Sequence, residues 1–378
     1  MKIAVVRKKY NPYGGAERYL HLLAQEWIKK GHEVHVYAHQ WPAAETDGLI
    51  FHRVPMIGIL SLFKIWSFAL ASWWMLRRFD GDLIFSNERI FFQDVFRCSD
   101  GVHRSWLRIR MKHLPWLKRL SIRLNPLHWS VCFLDWYIFT RHAYQKIIAP
   151  SEFIKREILD NFPAIRDADI RVVYNGVDLE RYHPENKKKY RASLRQEMGY
   201  GDKDSVLLFV GTGYERKGLR YLIESMALLP GNVRLLVIGK GRILPYRRIA
   251  ESQGVRSRIH FLGPVNGTEP YYAISDVLVL PTLYEPMANV VLEALASGIP
   301  VVTSRGCGNS EVISPARDGE IIENPKNPRE LAEKIQLALM LARKAETETW
   351  ARHKAESFTL QKAVTEVSAL LTELSPAR

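Results

Sequence analysis

Short apolar runs alternate with longer stretches of helical spacing along almost the whole chain, and this alternation restricts the fold more than any single motif does. Residues 2–6, 33–38, 49–54, 82–86, 95–99 and 146–149 read as strands. A second series lies at 205–210, 233–238, 259–262, 276–280, 300–303 and 320–323. Strands separated by helices imply parallel sheets covered by those helices. The first helix follows Gly15, carries Ala16, Tyr19, Leu20, Leu23 and Trp27 on one face and stops at Gly31. Pro150-Ser151-Glu152 is a further helix start, and residues beyond 327 read as helical. The order predicts an α/β protein of two doubly wound, Rossmann-like domains facing a central cleft. The polar run from Pro184 to Lys189 reads as a loop and draws the boundary near it. The expected division is 1–180 and 181–357, with a last helix over 358–378 packing back on the first domain.

A chain of 378 residues can bury two such cores. The cysteines Cys98, Cys132 and Cys307 are scattered, with neither a disulfide framework nor a metal spacing, which suits a reducing compartment. Met1 to Val6 reads as a strand rather than a secretion signal. Ile57 to Leu76 is almost wholly apolar, broken by Lys64. Its length would suit a membrane span. The strands predicted close on both sides favour instead a helix packed in the core of the domain. A formal charge of +14 points to an anionic partner.

Three loops carry the chemistry. The first, Asn11 to Arg18, joins strand one to helix one. Its glycines Gly14 and Gly15 either let the backbone approach a ligand or make a tight turn. It lacks G-x-G-x-x-G, and the second strand ends in Tyr37-Ala38-His39 rather than at an acid, so a dinucleotide enzyme is rejected. The second, Val210 to Gly218, places Arg216 and Lys217 at a helix start. Cations oppose the helix dipole there, which suits them to a bound diphosphate. No Walker pattern is present. The third follows the buried strand at Asp276–Thr282. There Glu285 precedes a helix and Glu293 lies inside it. Backbone N–H groups near Ala288, Asn289 and Val290 would hold phosphate at that helix start. Glu285 would then face sugar hydroxyls and Glu293 a ribose, as a nucleotide-sugar requires.

On these residues the chain resembles the retaining glycosyltransferases of family 4, which have the GT-B fold. The resemblance runs through the Gly14-Gly15 loop, Pro150-Ser151-Glu152-Phe153, Asn175-Gly176-Val177-Asp178, Arg216-Lys217-Gly218 and the Glu285-to-Glu293 segment. Within the family, the start Tyr10 to Gly15, the Asp94-Val95-Phe96 strand with Asp100, and the basic insert after it are similar to those of lipopolysaccharide core glucosyltransferases. The resemblance implies that Arg216 and Lys217 bind the donor diphosphate and stabilise the leaving group, as a divalent ion does elsewhere. It implies Glu285 on the transferred sugar, Glu293 on the ribose, and retention by same-face attack. It further implies no metal and no cofactor, with a UDP-sugar, UDP-glucose by this likeness, as co-substrate. Backbone near Gly263, Pro264 and Val265 would meet the base. Asp100 or His103 would orient the acceptor or the hexose, and Asp100 also fits a helix N-cap. Thr212 and Met287-Ala288 stand where many relatives carry arginine and phenylalanine-glycine, so the donor sugar is left open.

No acidic residue lies between Asp100 and Asp135. That stretch carries Arg104, Arg108, Arg110, Lys112, Lys118, Arg119 and Arg123, with His103, His113 and His128, and with Trp106, Trp116 and Trp129 among leucines at helical spacing. The composition describes an interfacial helix on an anionic leaflet, or else a solvated face whose apolar side enters the core. No nucleic-acid-binding module accompanies it. The expected protein is a bacterial enzyme, peripheral on the cytoplasmic face of the inner membrane, with a lipid-linked glycan acceptor and no nucleic-acid partner. The alternatives are an exopolysaccharide or O-antigen transferase with another donor and, more distantly, a membrane-surface or nucleic-acid binding protein without catalysis.

Overall fold

The two strand series close into two parallel sheets in the computed structural model, which describes residues 1–9, 15–41, 48–58, 60–112 and 114–374. The first contains β1 (Lys2–Val6), β2 (Glu33–Ala38), β3 (Leu49–Arg53), β4 (Leu83–Ser86), β5 (Val95–Arg97), β6 (Lys146–Ala149) and β7 (Ile170–Val172), in the order β3-β2-β1-β4-β5-β6-β7. The second contains β8 (Ser205–Val210), β9 (Val233–Ile238), β10 (Ile259–Gly263), β11 (Val277–Leu280), β12 (Val301–Ser304) and β13 (Gly319–Ile322), in the order β10-β9-β8-β11-β12-β13. In each sheet the chain builds outward in one direction and then restarts beside its first strand. The seams are therefore β1–β4 and β8–β11. Doubly wound sheets offer ligand crevices beyond the carboxyl ends of the strands at such seams.

The compact units are residues 1–174 with 360–378, and residues 175–359. In the first, α1 (Gly15–Lys29) buries Tyr19, Leu20, Leu23 and Trp27, and Gly31 ends it at φ +80°. The terminal helix α14 (Leu360–Glu373) adds Val364, Val367, Leu370 and Leu371 to that same core, and Trp27 Nε1 donates to Ser368 Oγ at 2.9 Å. Each such side chain contributes roughly 1.5–3 kcal/mol on full burial, so α14 belongs energetically to the first unit although the second precedes it in the chain.

Three sequence expectations are corrected. The run Pro184–Lys189 is not a loop: α7 (Asn186–Glu197) begins inside it. Lys188 and Lys189 are exposed, Lys187 pairs with Glu348 at 2.5 Å, and Arg191 and Arg195 reach back to Asp276 at 2.6 and 3.6 Å. The strand expected at 95–99 ends at Arg97, because Cys98 to Gly101 turns. Ile57–Leu76 does form a helix, α2 (Ser61–Leu76), but only one stripe is packed, through Phe68, Ala69, Ser72 and Leu76. Phe63, Leu70, Trp73 and Trp74 are exposed. Among the described residues no helix is long and apolar enough to cross a membrane.

Candidate active site

Glycines shape the β8–β11 seam. At Gly211 (φ +149°) a Cβ would lie 2.5 Å from the Lys217 Cδ, so the lysine can run back across the loop only over a glycine. At Gly218 (φ +76°) a Cβ would stand 2.0 Å from the Pro281 carbonyl oxygen, so the turn into α8 (Leu219–Met226) presses on the end of β11. Arg216 and Lys217 are thereby delivered to Glu285. Lys217 Nζ lies 2.7 Å and Arg216 Nη1 2.9 Å from the same oxygen, Glu285 Oε2. Arg216 also donates to the Tyr284 carbonyl at 2.8 Å, and Thr282 Oγ1 donates to the Arg216 carbonyl at 3.0 Å. The Glu285 backbone is pinned to the turn after β12, donating to Gly306 O and accepting from Gly308 N, both at 2.8 Å.

Lys217 and Glu285 are both buried. Burial alone would raise the Glu285 pKa, but the charges of Lys217 and then Arg216 outweigh it and hold the carboxyl below its ordinary value. Two cations on one carboxylate leave a net positive charge in a water-poor place, where an anion is held more strongly than in solution. The sequence reading gave Glu285 and the cations separate partners; the structure joins them in one cluster.

The helix expected after this loop is α11 (Asn289–Ala296). Ala288 precedes it in extended backbone, φ −87°. Its N–H, expected on a phosphate, donates instead to Asn309 Oδ1 at 2.5 Å. Asn309 is fully buried, and the same oxygen lies 3.3 Å from Cys307 Sγ. Asn175 Nδ2 donates to Asn289 Oδ1 at 2.7 Å and Met287 O at 3.2 Å. The N–H groups of Asn289 and Val290 lie in the first turn, where a helix has no intrahelical acceptors for them. One turn on, Glu293 Oε2 accepts from Tyr272 Oη at 2.8 Å. Tyr272, on α10 (Glu269–Ile274), is fully buried against Tyr182, ring centroids 5.5 Å apart. Burial, and next the Glu293 charge, push its phenol pKa far up, so it stays a donor and fixes the carboxylate. Asn309 and Tyr272 are positioning residues that sequence reasoning missed, because no spacing links them to the motifs they hold. Val265 is half-buried in the loop after β10, where Gly263 O accepts from Gly239 N at 2.9 Å. Of the first loop, residues 10–14, including Gly14, lie outside the described residues, and Gly15 opens α1.

Three D-x-D triplets occur, at Asp80–Asp82, Asp167–Asp169 and Asp202–Asp204. They precede β4, β7 and β8, at the amino ends of the strands, away from the seam ends. Asp82 accepts from Lys2 N, Asp169 from Arg166, and Asp204 from Arg234. These contacts are structural.

In the first unit, α3 (His103–Met111) follows β5. Asp100 is not its cap: the cap position is Val102, and Asp100 is an exposed side chain 3.5 Å from Arg89. The acceptor for the His103 N–H is Asp135 Oδ2, at 3.1 Å, on α5 (Pro126–Thr140). Asp135 is buried and bound to Arg89 Nε at 2.5 Å, while Arg89 Nη2 donates to Gly101 O at 2.8 Å. His103 Nε2 lies 3.1 Å from His128 Nδ1. Burial, then Arg89 and His128, push the His103 pKa down to about 4, so the ring is neutral at physiological pH. Arg89 was not singled out by sequence; His128 entered only as a member of the basic stretch, and Asp135 only as the end of its acid-free run.

The basic segment is three helices: α3, α4 (Trp116–Arg123) and α5. Arg104, Arg108, Lys112, Lys118, Arg119 and Arg123 are exposed, whereas Trp106 and Arg110 are half-buried. Trp116 is 70% and Leu117 61% exposed on α4. Arg119 is partly structural, donating to Leu114 O at 2.6 Å. His113 lies outside the described residues.

Two doubly wound parallel sheets, one with a cation–carboxylate cluster at its seam, define the GT-B class of transferase. Residues 13–181 match the family described as Glycosyltransferase Family 4, and residues 204–340 that described as Glycosyl transferases group 1. Over 353 residues the chain is 30% identical to an uncharacterized glycosyltransferase of Methanocaldococcus jannaschii, covering 88% of this chain and 87% of the relative. The protein therefore belongs to the family 4 glycosyltransferases. It is 25% identical over 343 residues to the lipopolysaccharide glucosyltransferase WaaG of Escherichia coli, covering 90% of each. A crystal structure of WaaG matches with a TM-score of 0.84 at 23% identity, over 98% of this chain and 99% of that one. Anabaena HepE in complex with UDP-glucose matches with a TM-score of 0.75 at 19% identity, over 99% and 100%. At such identities the structural likeness speaks for the fold.

Proposed function

We propose that this glycosyltransferase moves a hexose, glucose, from a UDP-sugar to a lipid-linked acceptor of the lipopolysaccharide core type, with retention and without a metal. The observation that carries the reading is the convergence of Lys217 and Arg216 on one Glu285 oxygen at the β8–β11 seam. The donor diphosphate shares these cations, and the charge that grows on the leaving group falls where positive charge is already fixed. Glu285 keeps the cations in place and meets the sugar; Glu293, aimed by Tyr272, meets the ribose; Asn289, Val290 and Val265 supply backbone contacts. His103 serves by hydrogen bonding rather than by proton abstraction, since a pKa of about 4 makes it a weak base. Asp100, exposed, stands as an acceptor contact. The donor's own phosphate then takes the acceptor proton. The likeness to a lipopolysaccharide glucosyltransferase supports the acceptor class, and the exposed cations and Trp116 of α4 support work at an anionic membrane surface, the cytoplasmic face of the inner membrane.

The second reading keeps the chemistry and changes the sugar, on one observation: Ala288 is buried at the position where many relatives carry glycine. A thermal-shift screen of UDP-, GDP- and ADP-sugars tests both, because ligand raises the melting temperature in step with occupancy. UDP-glucose is expected to shift most, and transfer to lipopolysaccharide truncated after its inner core is expected to follow. No response to any nucleotide-sugar would sink the assignment. Retained activity in EDTA is expected; loss restored by a divalent ion would overturn the metal-free mechanism.

A further inference from the structure

The outer face of α2 has no role in the glycosyl-transfer site and no cover within the described residues. Ile57 is 72%, Leu60 63%, Phe63 57% and Trp74 54% exposed. Phe63, Leu70 and Trp74 fall seven and four residues apart, one stripe of a helix. An apolar stripe of this kind left in water marks an interaction surface.

Ring contacts continue this stripe into α5. Trp66, between Phe63 and Leu70, lies 5.7 Å from Phe133 between ring centroids and donates to Ser130 Oγ at 2.8 Å. Phe133 in turn lies 5.7 Å from Trp136. Trp129, Phe133 and Trp136, all exposed, are four and three residues apart, again one stripe. Trp129 Nε1 donates to Arg123 O at the end of α4. The exposed faces of α2, α5 and α4 are thus joined by direct contacts.

Charge selects the occupant. From Gly48 to Phe79 there is no acidic residue, the helices α2, α3, α4 and α5 themselves carry one carboxylate, Asp135, buried on Arg89, and the exposed acids between Ser61 and Thr140 are Asp80 and Asp100. Arg78 lies 3.9 Å above the Trp74 ring and Arg77 4.8 Å above that of Trp73, so cations border the apolar stripe. A second copy packed symmetrically here would set many cations against cations, with exposed acids to answer them at Asp80 and Asp100 alone between Ser61 and Thr140. A bilayer with anionic headgroups satisfies both features: acyl chains take the tryptophans and phenylalanines, and phosphates take the arginines. Nucleic acid would leave the apolar stripe uncovered.

We infer that α2 and α5 form, with α4, one three-helix surface that seats this protein in an anionic bilayer, with Phe63 and Trp74 as anchors. The inference rests on the membrane reading of α4 and goes beyond it by assigning the insertion to a different segment of the chain. The test is co-sedimentation with phosphatidylethanolamine vesicles containing roughly a quarter phosphatidylglycerol, with pure phosphatidylcholine vesicles for comparison. Phe63→Ser/Trp74→Ser is expected to lower partitioning by about 10-fold or more, because two aromatic side chains lose their apolar environment. UDP-sugar hydrolysis without vesicles should be unchanged. Ile57→Ser/Leu60→Ser, ahead of the helix, gives an independent measure should the first variant fold poorly. Lys118→Glu/Arg123→Glu is the separate probe of α4. If the α4 variant loses binding and both α2 variants bind like the parent, the inference fails and the membrane reading of α4 stands. If the parent chain ignores anionic vesicles, both fail. A dimer in solution that the α2 substitutions dissociate, without vesicle binding, would give this face to a second copy and overturn the inference.

Discussion

Two regions of this protein concentrate positive charge, and they treat it in opposite ways. At the β8–β11 seam, Arg216 and Lys217 share one buried carboxylate. Within the helices α2, α3, α4 and α5, the arginines and lysines have a single acid among them, Asp135, and Arg89 already occupies it. The first arrangement holds cations rigid for a small anion that must share them with Glu285. Such preorganised charge acts strongly because nothing need move when the anion arrives. The second leaves charge spread over an exposed face, where water and salt weaken each contact. Residue type is the same in both places; the nearness of a buried carboxylate separates a catalytic cluster from a docking face.

The comparison breaks most readily at the cluster. Lys217→Ala is expected to lower kcat/KM for the UDP-sugar by roughly 100- to 1000-fold, the usual effect of deleting one preorganised charge contact. It should also destabilise the fold, by roughly 3–5 kcal/mol at most, since a buried pair loses a partner. Urea denaturation separates the two effects. Glu285→Gln sharpens the assignment. If the carboxylate meets the sugar, kcat falls about 100-fold with no gain in donor affinity. If it only neutralises the cations, the donor binds more tightly and kcat is largely kept, and that result would remove Glu285 from the sugar contacts.

The second effect in size is pH dependence in the first unit. His103 is held neutral by burial and by the cations around it, with a folded-state pKa of about 4 against about 6.5 in an unfolded chain. The folded state therefore resists protonation, and the stability it carries above pH 6.5 declines as pH falls toward 4, by on the order of 1–3 kcal/mol. Glu285 behaves differently: Lys217 and Arg216 outweigh its burial and lower its pKa, so its carboxylate loses its charge later than an ordinary glutamate as pH falls. Urea midpoints measured between about pH 7.5 and pH 4.5 should show the loss, and His103→Asn should flatten it. An unchanged slope in the variant would place the acid sensitivity elsewhere.

Much of this was legible beforehand, and the misses share a cause. Both strand series and the Glu285 loop could be read because apolar runs and strand–loop–helix order are local. Glu285 and Lys217 were both found, but not their contact, which depends on Gly218 pressing on Pro281 and on two backbone hydrogen bonds from the turn after β12. Asn309 and Tyr272 act on Ala288 and Glu293 from 21 residues away, with no pattern to announce them. Asp100 looked like a cap because it precedes a helix; the cap partner came from α5, a tertiary contact. The apolar run at 57–76 was read as core because hydrophobicity alone carries no sign of which face has a neighbour.

Salt should move the two regions unequally. Raising ionic strength from about 0.05 to about 0.5 M is expected to weaken vesicle partitioning about 10-fold, since exposed cations beyond a Debye length are screened. The donor KM, set at a buried cluster, should change less than about two-fold. Equal loss in both assays would mean that the seam is open to solvent in the working enzyme, and the contrast between the regions would go.

The smallest expected effect tests where sugar choice resides. Ala288 is buried, and at φ −87° its backbone does not require glycine, so Ala288→Gly keeps the conformation and removes one methyl group. Its N–H stays on Asn309, because that hydrogen bond uses no side-chain atom of Ala288. Stability should fall by about 1–2 kcal/mol, the entropic cost of a glycine plus the loss of one buried methyl group. One methyl group in a pocket discriminates substrates by roughly 10-fold or more when it touches them. A partial contact here should change the ratio of UDP-glucose to UDP-galactose turnover by about three-fold, read from kcat/KM for each donor. An unchanged ratio, with stability as expected, would mean that the methyl packs against protein alone. Sugar preference would then have to be sought in Met287, the buried residue next to it in the same turn.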